Sequence, residues 1–392
     1  MSKYKNFDYI DIAVDSLNKY KEELCGDHVE ITENEYSKII VLSDGLGSGV
    51  KANILATLTS NICSTMLRLG SNIIEVLETL EKTLPICKVR ELAYSTFSII
   101  QIYHDKRVQI IEYGNPRIVY IRDGELLKLE EQRIIFKEKE VIQSFTTYKK
   151  GDTLSIFSDG VVHTGIGKYI YLGWQWEEVV KVLKTTSRKS KSAKPISKAI
   201  IDICNTFSDY EPGDDTTCVV IRIRDIEKIS LFSGPPKDKE KDRDLIHDLV
   251  YSQGKKVICG GTAANICARE MNKEIETNFE YFDPSIPPYA KIDGIDLVTE
   301  GVLTINEAIR ILNESNKTEF DSRVLDRDNG ASKLAKLIIN DCTHLDILIG
   351  NSINPAHQNP FFPDELNIKW KSTTALIKAV ESLGKTVEIK KY

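Results

Sequence analysis

Val41-Leu42-Ser43-Asp44-Gly45-Leu46-Gly47-Ser48-Gly49 ends an apolar strand on a carboxylate and follows it at once with a glycine-rich turn. It gains force from two later stretches. Leu154-Ser155-Ile156-Phe157-Ser158-Asp159-Gly160-Val161 is again a strand followed by Ser-Asp-Gly, and Gly213-Asp214-Asp215-Thr216-Thr217 leads into the strand Cys218-Val219-Val220-Ile221. Each Asp-Gly pair taken singly is an ordinary turn signal. Three acidic strand ends, far apart in sequence, can nevertheless converge on one site. Carboxylate oxygens are the ligands that magnesium and manganese prefer. A glycine after Asp44 lets the backbone approach closely, which makes the Gly45 carbonyl a further candidate ligand.

In this order the residues resemble the metal-dependent protein phosphatases of type 2C, in particular the bacterial subfamily typified by the sporulation stage II protein E phosphatase. The resemblance covers residues 1–225. Cys25-Gly26-Asp27 is similar to that subfamily's opening Gly-Asp element, and Asp44-Gly45-Leu46-Gly47-Ser48-Gly49 to its Asp-Gly-x-Gly-x-Gly signature. Gly114-Asn115-Pro116-Arg117 with Ile121-Arg122-Asp123-Gly124 resembles the mid-domain hairpin, and Ser158-Asp159-Gly160 the second acidic turn. Asp214-Asp215-Thr216-Thr217 resembles the closing Asp-Asn-x-Thr. It departs by one residue, Asp215 standing in place of Asn, and Asp214 is the position that matches the ligand.

The resemblance implies an α/β/β/α sandwich, two Mn2+ or Mg2+ ions, and hydrolysis of phosphoserine or phosphothreonine by water, with no side-chain nucleophile. It also implies the site: Asp44, Asp159 and Asp214 as catalytic metal ligands, joined by Asp27 through water and by the Gly45 carbonyl. His163, four residues past Asp159, is either a general acid or a structural residue. Arg117 and Arg122 are either phosphate contacts or part of a solvated hairpin face.

At 392 residues the chain suits two domains. A net charge of −6 with 41% apolar residues describes an ordinary, slightly acidic globular protein. No apolar run approaches the roughly 20 residues needed to span a bilayer. The start, Met1-Ser2-Lys3-Tyr4-Lys5, lacks a signal-peptide core, so a cytoplasmic protein is expected, without a membrane partner. Eight cysteines without a Cys-x-x-Cys spacing read as reduced, mostly buried thiols. Cys87 has no Cys-x5-Arg phosphate loop around it and sits at an expected helix-to-strand connection.

Along the first half, Asp8 to Ile12 and Lys21 to Leu24 suit a short helix or an edge strand, and Tyr36 to Ser43 a strand. Helices are expected over Val50 to Leu69, where Gly70 ends the first, and over Ile73 to Leu84. Strands follow at Thr96 to His104, Val108 to Tyr113, Ile118 to Arg122, Leu126 to Leu129 and Leu154 to Ser158. Helices at Trp176 to Leu183 and Pro195 to Phe207 precede the strand Thr217 to Arg224. Thr185 to Lys194 reads as a polar, basic loop, either a solvated connection or a docking patch for an acidic or phosphorylated partner. Its basic residues are few and lack interleaved aromatics, so a nucleic-acid role is not expected.

Beyond Ile226 strands and helices alternate, predicting a layered α/β domain over 227–392 with a mostly parallel sheet. Its strands end in small and polar residues, at Gly234, at Gly260-Gly261-Thr262 and at Gly350-Asn351. In open parallel sheets ligands bind at that edge. Gly260, Gly261, Thr262 and Asn351 are therefore candidate ligand-binding residues, although no dinucleotide fingerprint or P-loop is present. Asp283 to Tyr289 reads as a proline-rich surface loop.

The leading expectation is a two-domain, metal-dependent serine/threonine phosphoprotein phosphatase of bacterial signalling. Residues 1–226 act on a phosphorylated protein, and residues 227–392 have a regulatory role, binding a small molecule or a protein. The alternatives are an inactive phosphatase-fold sensor or scaffold, and a bifunctional protein whose second domain has its own small-molecule activity.

Overall fold

The computed structural model describes residues 8–84, 95–137, 139–277, 289–317, 320–350 and 368–392. Cys87, residues 283–288 of the proline-rich loop and Asn351 lie outside them. The chain forms two compact units, Met1–Asp225 and Ile226–Tyr392.

The first unit begins with strands β1 (Tyr9–Leu17), β2 (Asp27–Glu33) and β3 (Ser37–Asp44) and helices α1 (Gly49–Arg68) and α2 (Ile73–Thr83). Strands β4 (Thr96–Tyr103), β5 (Arg107–Tyr113), β6 (Val119–Arg122), β7 (Glu125–Leu126), β8 (Glu131–Phe136), β9 (Lys139–Thr147) and β10 (Thr153–Phe157) follow. Helices α3 (Asp159–His163), α4 (Trp176–Lys189) and α5 (Ala193–Phe207) and strand β11 (Thr216–Arg224) complete it. The strands make two antiparallel sheets, ordered β1-β11-β10-β6-β7 and β2-β3-β4-β5-β9-β8.

Side-chain alternation along β3 shows why two sheets stack. Ile40 and Leu42 face inward and join Ile100, Ile110, Leu154, Ile156, Val219 and Ile221 in a core drawn from both sheets. Ile39 and Val41 face outward against Cys63, Leu67, Val76, Leu77 and Leu80 of α1 and α2. On the other side Cys218 and Val220 pack against Leu183, Ile196, Ile200 and Cys204 of α4 and α5. The result is the expected α/β/β/α sandwich, each strand's period of two feeding a different layer.

Several local expectations change. The basic stretch from Thr185 is not a loop, because α4 runs on to Lys189 and α5 starts at Ala193. Its hydroxyls bond back within the helix: Thr185 Oγ1 donates to the Lys181 carbonyl (2.9 Å) and Thr186 Oγ1 to that of Val182 (2.8 Å). Arg188 and Lys189 suit the negative end of the helix dipole. The strand expected at Leu126 to Leu129 shrinks to Glu125–Leu126. Tyr9–Leu17 form a full edge strand, β1, paired along its whole length with β11.

The second unit opens with β12 (Lys228–Ser233), α6 (Asp242–Val250), β13 (Lys255–Cys259) and α7 (Gly261–Met271). Strands β14 (Glu276–Thr277), β15 (Ala290–Ile292) and β16 (Ile295–Thr299) and helices α8 (Val302–Ser315) and α9 (Gly330–Lys336) come next. Strand β17 (His344–Ile349), α10 (Ile368–Glu381) and β18 (Thr386–Lys391) close it. The sheet runs β14-β15-β16-β13-β12-β17-β18, parallel from β16 to β18 and antiparallel at β14 and β15. Ile229, Leu231 and Val257 pack beneath α8, α9 and α10, while Phe232, Ile258 and Val298 pack beneath α6 and α7.

No described helix is long and apolar enough to cross a membrane. The cysteines among the described residues are free thiols; only Cys25 is not fully buried. Burial pushes the Cys218 thiol up to about 12, which leaves it a weak nucleophile.

Candidate active site

Asp27 opens β2 and Asp44 closes β3, and the two are direct partners across the antiparallel ladder. On the facing sheet Asp159 starts α3 with one residue, Ser158, between it and β10, and Asp214 lies two residues ahead of the first residue of β11. Phe157 pairs with Cys218, and the Ser158 N–H donates to the Thr217 carbonyl at 3.0 Å, so those two ends also coincide. Ser158 Oγ then crosses between the sheets and donates to Asp27 Oδ2 at 2.7 Å. Four carboxylates from two sheets therefore meet at one end of the sandwich.

The turn after Asp44 has no room for a side chain. A Cβ on Gly45 would lie 2.2 Å from the Ala52 carbonyl oxygen of α1 and 2.7 Å from that of Gly26. The Gly45 N–H meanwhile bonds the Gly26 carbonyl at 3.2 Å. Gly160 is equally confined, 2.1 Å from the Asp215 carbonyl oxygen by the same construction. Both glycines of the Ser-Asp-Gly turns are thus needed for backbone to pass backbone.

Crowding of like charges dominates the electrostatics. Burial raises the Asp44 carboxyl to about 9, helped by the negative charges of Asp27, Asp159 and Asp214 and by a carboxyl–carboxyl contact with Asp159. Burial likewise raises Asp27 to about 7, against the hydrogen bonds from Ser158 and Thr217. Asp214 is raised by burial and by Asp159. Asp27 Oδ1 and Asp215 Oδ2 are buried with no hydrogen-bond partner. Among the described residues no three His, Cys, Asp or Glu side chains already enclose a point as a finished cation cage. The donor set still fits a hard divalent cation: oxygen-only, several-fold negative and holding buried lone pairs that nothing in the chain satisfies.

Asp214 and Asp215 separate by environment. Asp214 is exposed toward Asp159 and Asp44, whereas Asp215 is 4% exposed and accepts the Lys19 N–H on Oδ1 at 3.0 Å. His163 lies one turn along α3 from Asp159, with Nδ1 3.7 Å from Asp159 Oδ2.

Arg117 and Arg122 are both paired with carboxylates of this unit. Arg117 forks onto Glu112 at 3.1 and 3.0 Å and reaches Glu131 at 2.8 Å. Arg122 binds both oxygens of the buried Asp152, at 3.0 and 2.7 Å, and the Thr147 carbonyl at 2.6 Å. Both guanidinium groups are consumed by structural carboxylates.

Sequence reasoning missed Ser158 as the tie between the sheets. The repeated Ser-Asp-Gly of Ser43-Asp44-Gly45 and Ser158-Asp159-Gly160 was the available signal. Ser43 has the lesser role, its hydroxyl bonding the Thr96 carbonyl at 3.2 Å.

In the second unit Gly260, with φ 124°, is the N-cap of α7, and Gly261 and Thr262 open the helix, exposed and without a side-chain cap. Gly260 abuts Gly301, the corresponding turn after β16.

An α/β/β/α sandwich with carboxylates gathered at one end of its two sheets is what the resemblance to the PP2C-type phosphatases implied. Residues 35–224 match the family described as Stage II sporulation protein E (SpoIIE), and this segment is SpoIIE-like. Phosphoserine phosphatase RsbX of Bacillus subtilis (strain 168) is 27% identical over 201 residues, covering 48% of this chain and 94% of the relative. A solved structure of the PP2C phosphatase domain and a regulatory-domain fragment of SpoIIE from Bacillus subtilis aligns with TM-score 0.47 and 19% identity. That alignment covers 55% of this chain and 62% of the other. RsbX in complex with magnesium aligns with TM-score 0.41 and 20% identity over 56% of this chain and 97% of the other.

Proposed function

We propose that the first unit is a metal-dependent serine/threonine phosphoprotein phosphatase acting in signalling. The observation that carries this reading is the convergence of Asp27, Asp44, Asp159 and Asp214 at one sheet end, with the buried Asp27 Oδ1 left unpartnered. The naming of the RsbX relative as a phosphoserine phosphatase supports the substrate class.

Asp44, Asp159 and Asp214 would hold two Mg2+ or Mn2+ ions, with the Gly45 carbonyl as a further ligand and Asp27 acting through water. Such ions supply Lewis-acid stabilisation of phosphoryl charge and make water acidic enough to attack near neutral pH. The chain's own contribution is placement. Ser158 fixes the Asp27 carboxylate, and the Gly45 and Gly160 turns bring backbone against backbone. A cavity of about 290 Å3, lined by His163, Asp214 and Gly160, leaves room for the phosphorylated residue.

The second unit is read as ligand-binding and regulatory. Its central strand β12 pairs with β13 on one side and with β17 on the other, so the order in which strands are added to the sheet reverses there, and small residues end these strands. Ligands of open parallel sheets bind at such a reversal.

The test is hydrolysis of p-nitrophenyl phosphate and of a phosphoserine peptide with Mn2+ or Mg2+. Chelator should stop it, and Asp44→Ala and Asp214→Ala should each reduce it at least about a hundredfold. Full activity in either variant would overturn the reading.

A further inference from the structure

Gly165-Ile166-Gly167-Lys168-Tyr169-Ile170-Tyr171-Leu172-Gly173 has five large apolar side chains in nine positions, a composition suited to a core. The structure holds four of them in water. Ile166 is 53% exposed, Tyr169 69%, Tyr171 94% and Leu172 67%; only Ile170 turns partly inward.

Backbone hydrogen bonds fix the loop in that state. The N–H groups of Lys168 and Ile170 both donate to the Gly165 carbonyl at 3.1 Å, and Gln175 N–H closes the base on Val162 at 3.2 Å. The Lys168 ammonium ties the loop to the next turn through the carbonyls of Ser208 and Glu211. There Asp209 and Tyr210 adopt φ values of 50° and 60°, uncommon for such side chains, and Tyr210 is 69% exposed. An ordered display of contiguous apolar side chains is the mark of an interaction surface.

Its position says what it meets. The cavity of about 290 Å3 that reaches Gly160, His163 and Asp214 is also lined by Gly165, Ile166 and Lys168 of the loop. A residue entering the acidic site by that route lays its neighbours across the loop. The one cation of the loop is already paired, Lys168 Nζ lying 3.6 Å from Glu211 Oε2, so flanking residues would be held by burial and not by charge.

Resting on the phosphatase reading above, we propose that this surface docks the protein substrate. The substrate is then a phosphoserine- or phosphothreonine-bearing segment with large apolar side chains beside the phosphorylated residue.

The experiment compares the full chain with the double variant Y171S/L172S, two loop-tip residues outside the cavity wall, on three substrates with Mn2+. These are p-nitrophenyl phosphate, a phosphoserine nonapeptide flanked by leucines, and the same peptide flanked by glutamines. The unaltered chain should prefer the leucine peptide by about tenfold in kcat/KM. The variant should lose that preference, through KM, while keeping its p-nitrophenyl phosphate rate within about twofold. Equal rates on the two peptides by the unaltered chain, or a preference that survives in the variant, overturn the docking surface while the phosphatase reading stands. No hydrolysis of any substrate by the unaltered chain overturns both. Sedimentation completes the set: a dimer that becomes monomeric in the variant, with peptide rates equal, marks the patch as a contact between copies and also overturns the proposal.

Discussion

Ser158 and Asp27 stand 131 positions apart in the chain, and their side chains meet at 2.7 Å. The same hydroxyl oxygen accepts the Thr217 N–H at 2.9 Å, so one small residue joins β2, the end of β10 and the start of β11. Both Ser158 and Asp27 are buried, and the carboxylate keeps its other oxygen, Oδ1, unpartnered.

Ser158→Ala should therefore lower stability by about 1–3 kcal/mol, the usual effect of depriving a buried polar group of its partner. The lost hydrogen bond favoured the ionised form of Asp27, so its carboxyl should rise further and bind Mn2+ less well at neutral pH. Urea denaturation and calorimetric Mn2+ titration read the two effects separately. Unchanged values in both would remove Ser158 from the site's architecture.

Asp44 gives a pH dependence with a definite sign. Its folded carboxyl, near 9, stays protonated where the unfolded group, near the model-peptide 3.8, is already ionised. Stability of the cation-free protein should then be full below about pH 4 and decline as pH climbs toward 9. Asp44→Asn abolishes the ionisation. In chelator at pH 8 it should raise stability by about 1–2 kcal/mol, or roughly 2–6 °C, and flatten the pH profile. Thermal unfolding from pH 5 to 9 checks this, and a variant less stable than the parent would contradict it.

The two neighbouring aspartates should respond differently to the same change. Asp215→Asn retains an oxygen for the Lys19 N–H and should cost less than about 1 kcal/mol, with activity within about threefold. Asp214→Asn weakens the carboxylate cluster shared with Asp44 and Asp159 and should lower phosphatase activity about a hundredfold. The reverse order of effects would reassign the ligand to Asp215.

Arg122 provides a control outside the site. Asp152 is 1% exposed and takes hydrogen bonds from Arg122, Tyr120 and the Lys149 N–H. Arg122→Ala should destabilise the unit by about 3–5 kcal/mol by stranding that carboxylate. At 15 °C, with the fold intact, KM for p-nitrophenyl phosphate should not change. A large rise in KM would return Arg122 to the substrate.

The acidic strand ends were legible in sequence because a strand, a carboxylate and a glycine are all local features. The alternation of β12, β13, β16, β17 and β18 with helices was legible for the same reason, each element carrying its own period, while the short antiparallel β14 and β15 were not. Strands β2, β8 and β9 escaped notice: β2 and β8 lie at sheet edges, where charged residues such as Glu30, Glu33, Glu131 and Arg133 are useful against unwanted pairing and dilute the apolar signal, and β9 dilutes it with Lys139, Glu140, Gln143, Ser144, Thr146 and Thr147. The continuation of α4 through Thr186 was hidden by residue types that favour loops, until hydroxyl bonds to earlier carbonyls and the burial of Ser187 outweighed propensity. The roles of Ser158, Arg117 and Arg122 depend on partners distant in the chain, which no local pattern encodes.

Strand β1 lies beside β11 for nine consecutive pairs, and Ser16 Oγ bonds Thr217 Oγ1 across 201 positions. On a ribosome the first strand must therefore wait, unpaired, until nearly the whole unit has been made. Asp159 and Asp214 likewise reach Asp27 and Asp44 only when β10 and β11 close the second sheet. Nascent chains released early would hold half the carboxylates and bind cations poorly, so catalytic competence arrives together with completed translation of the unit.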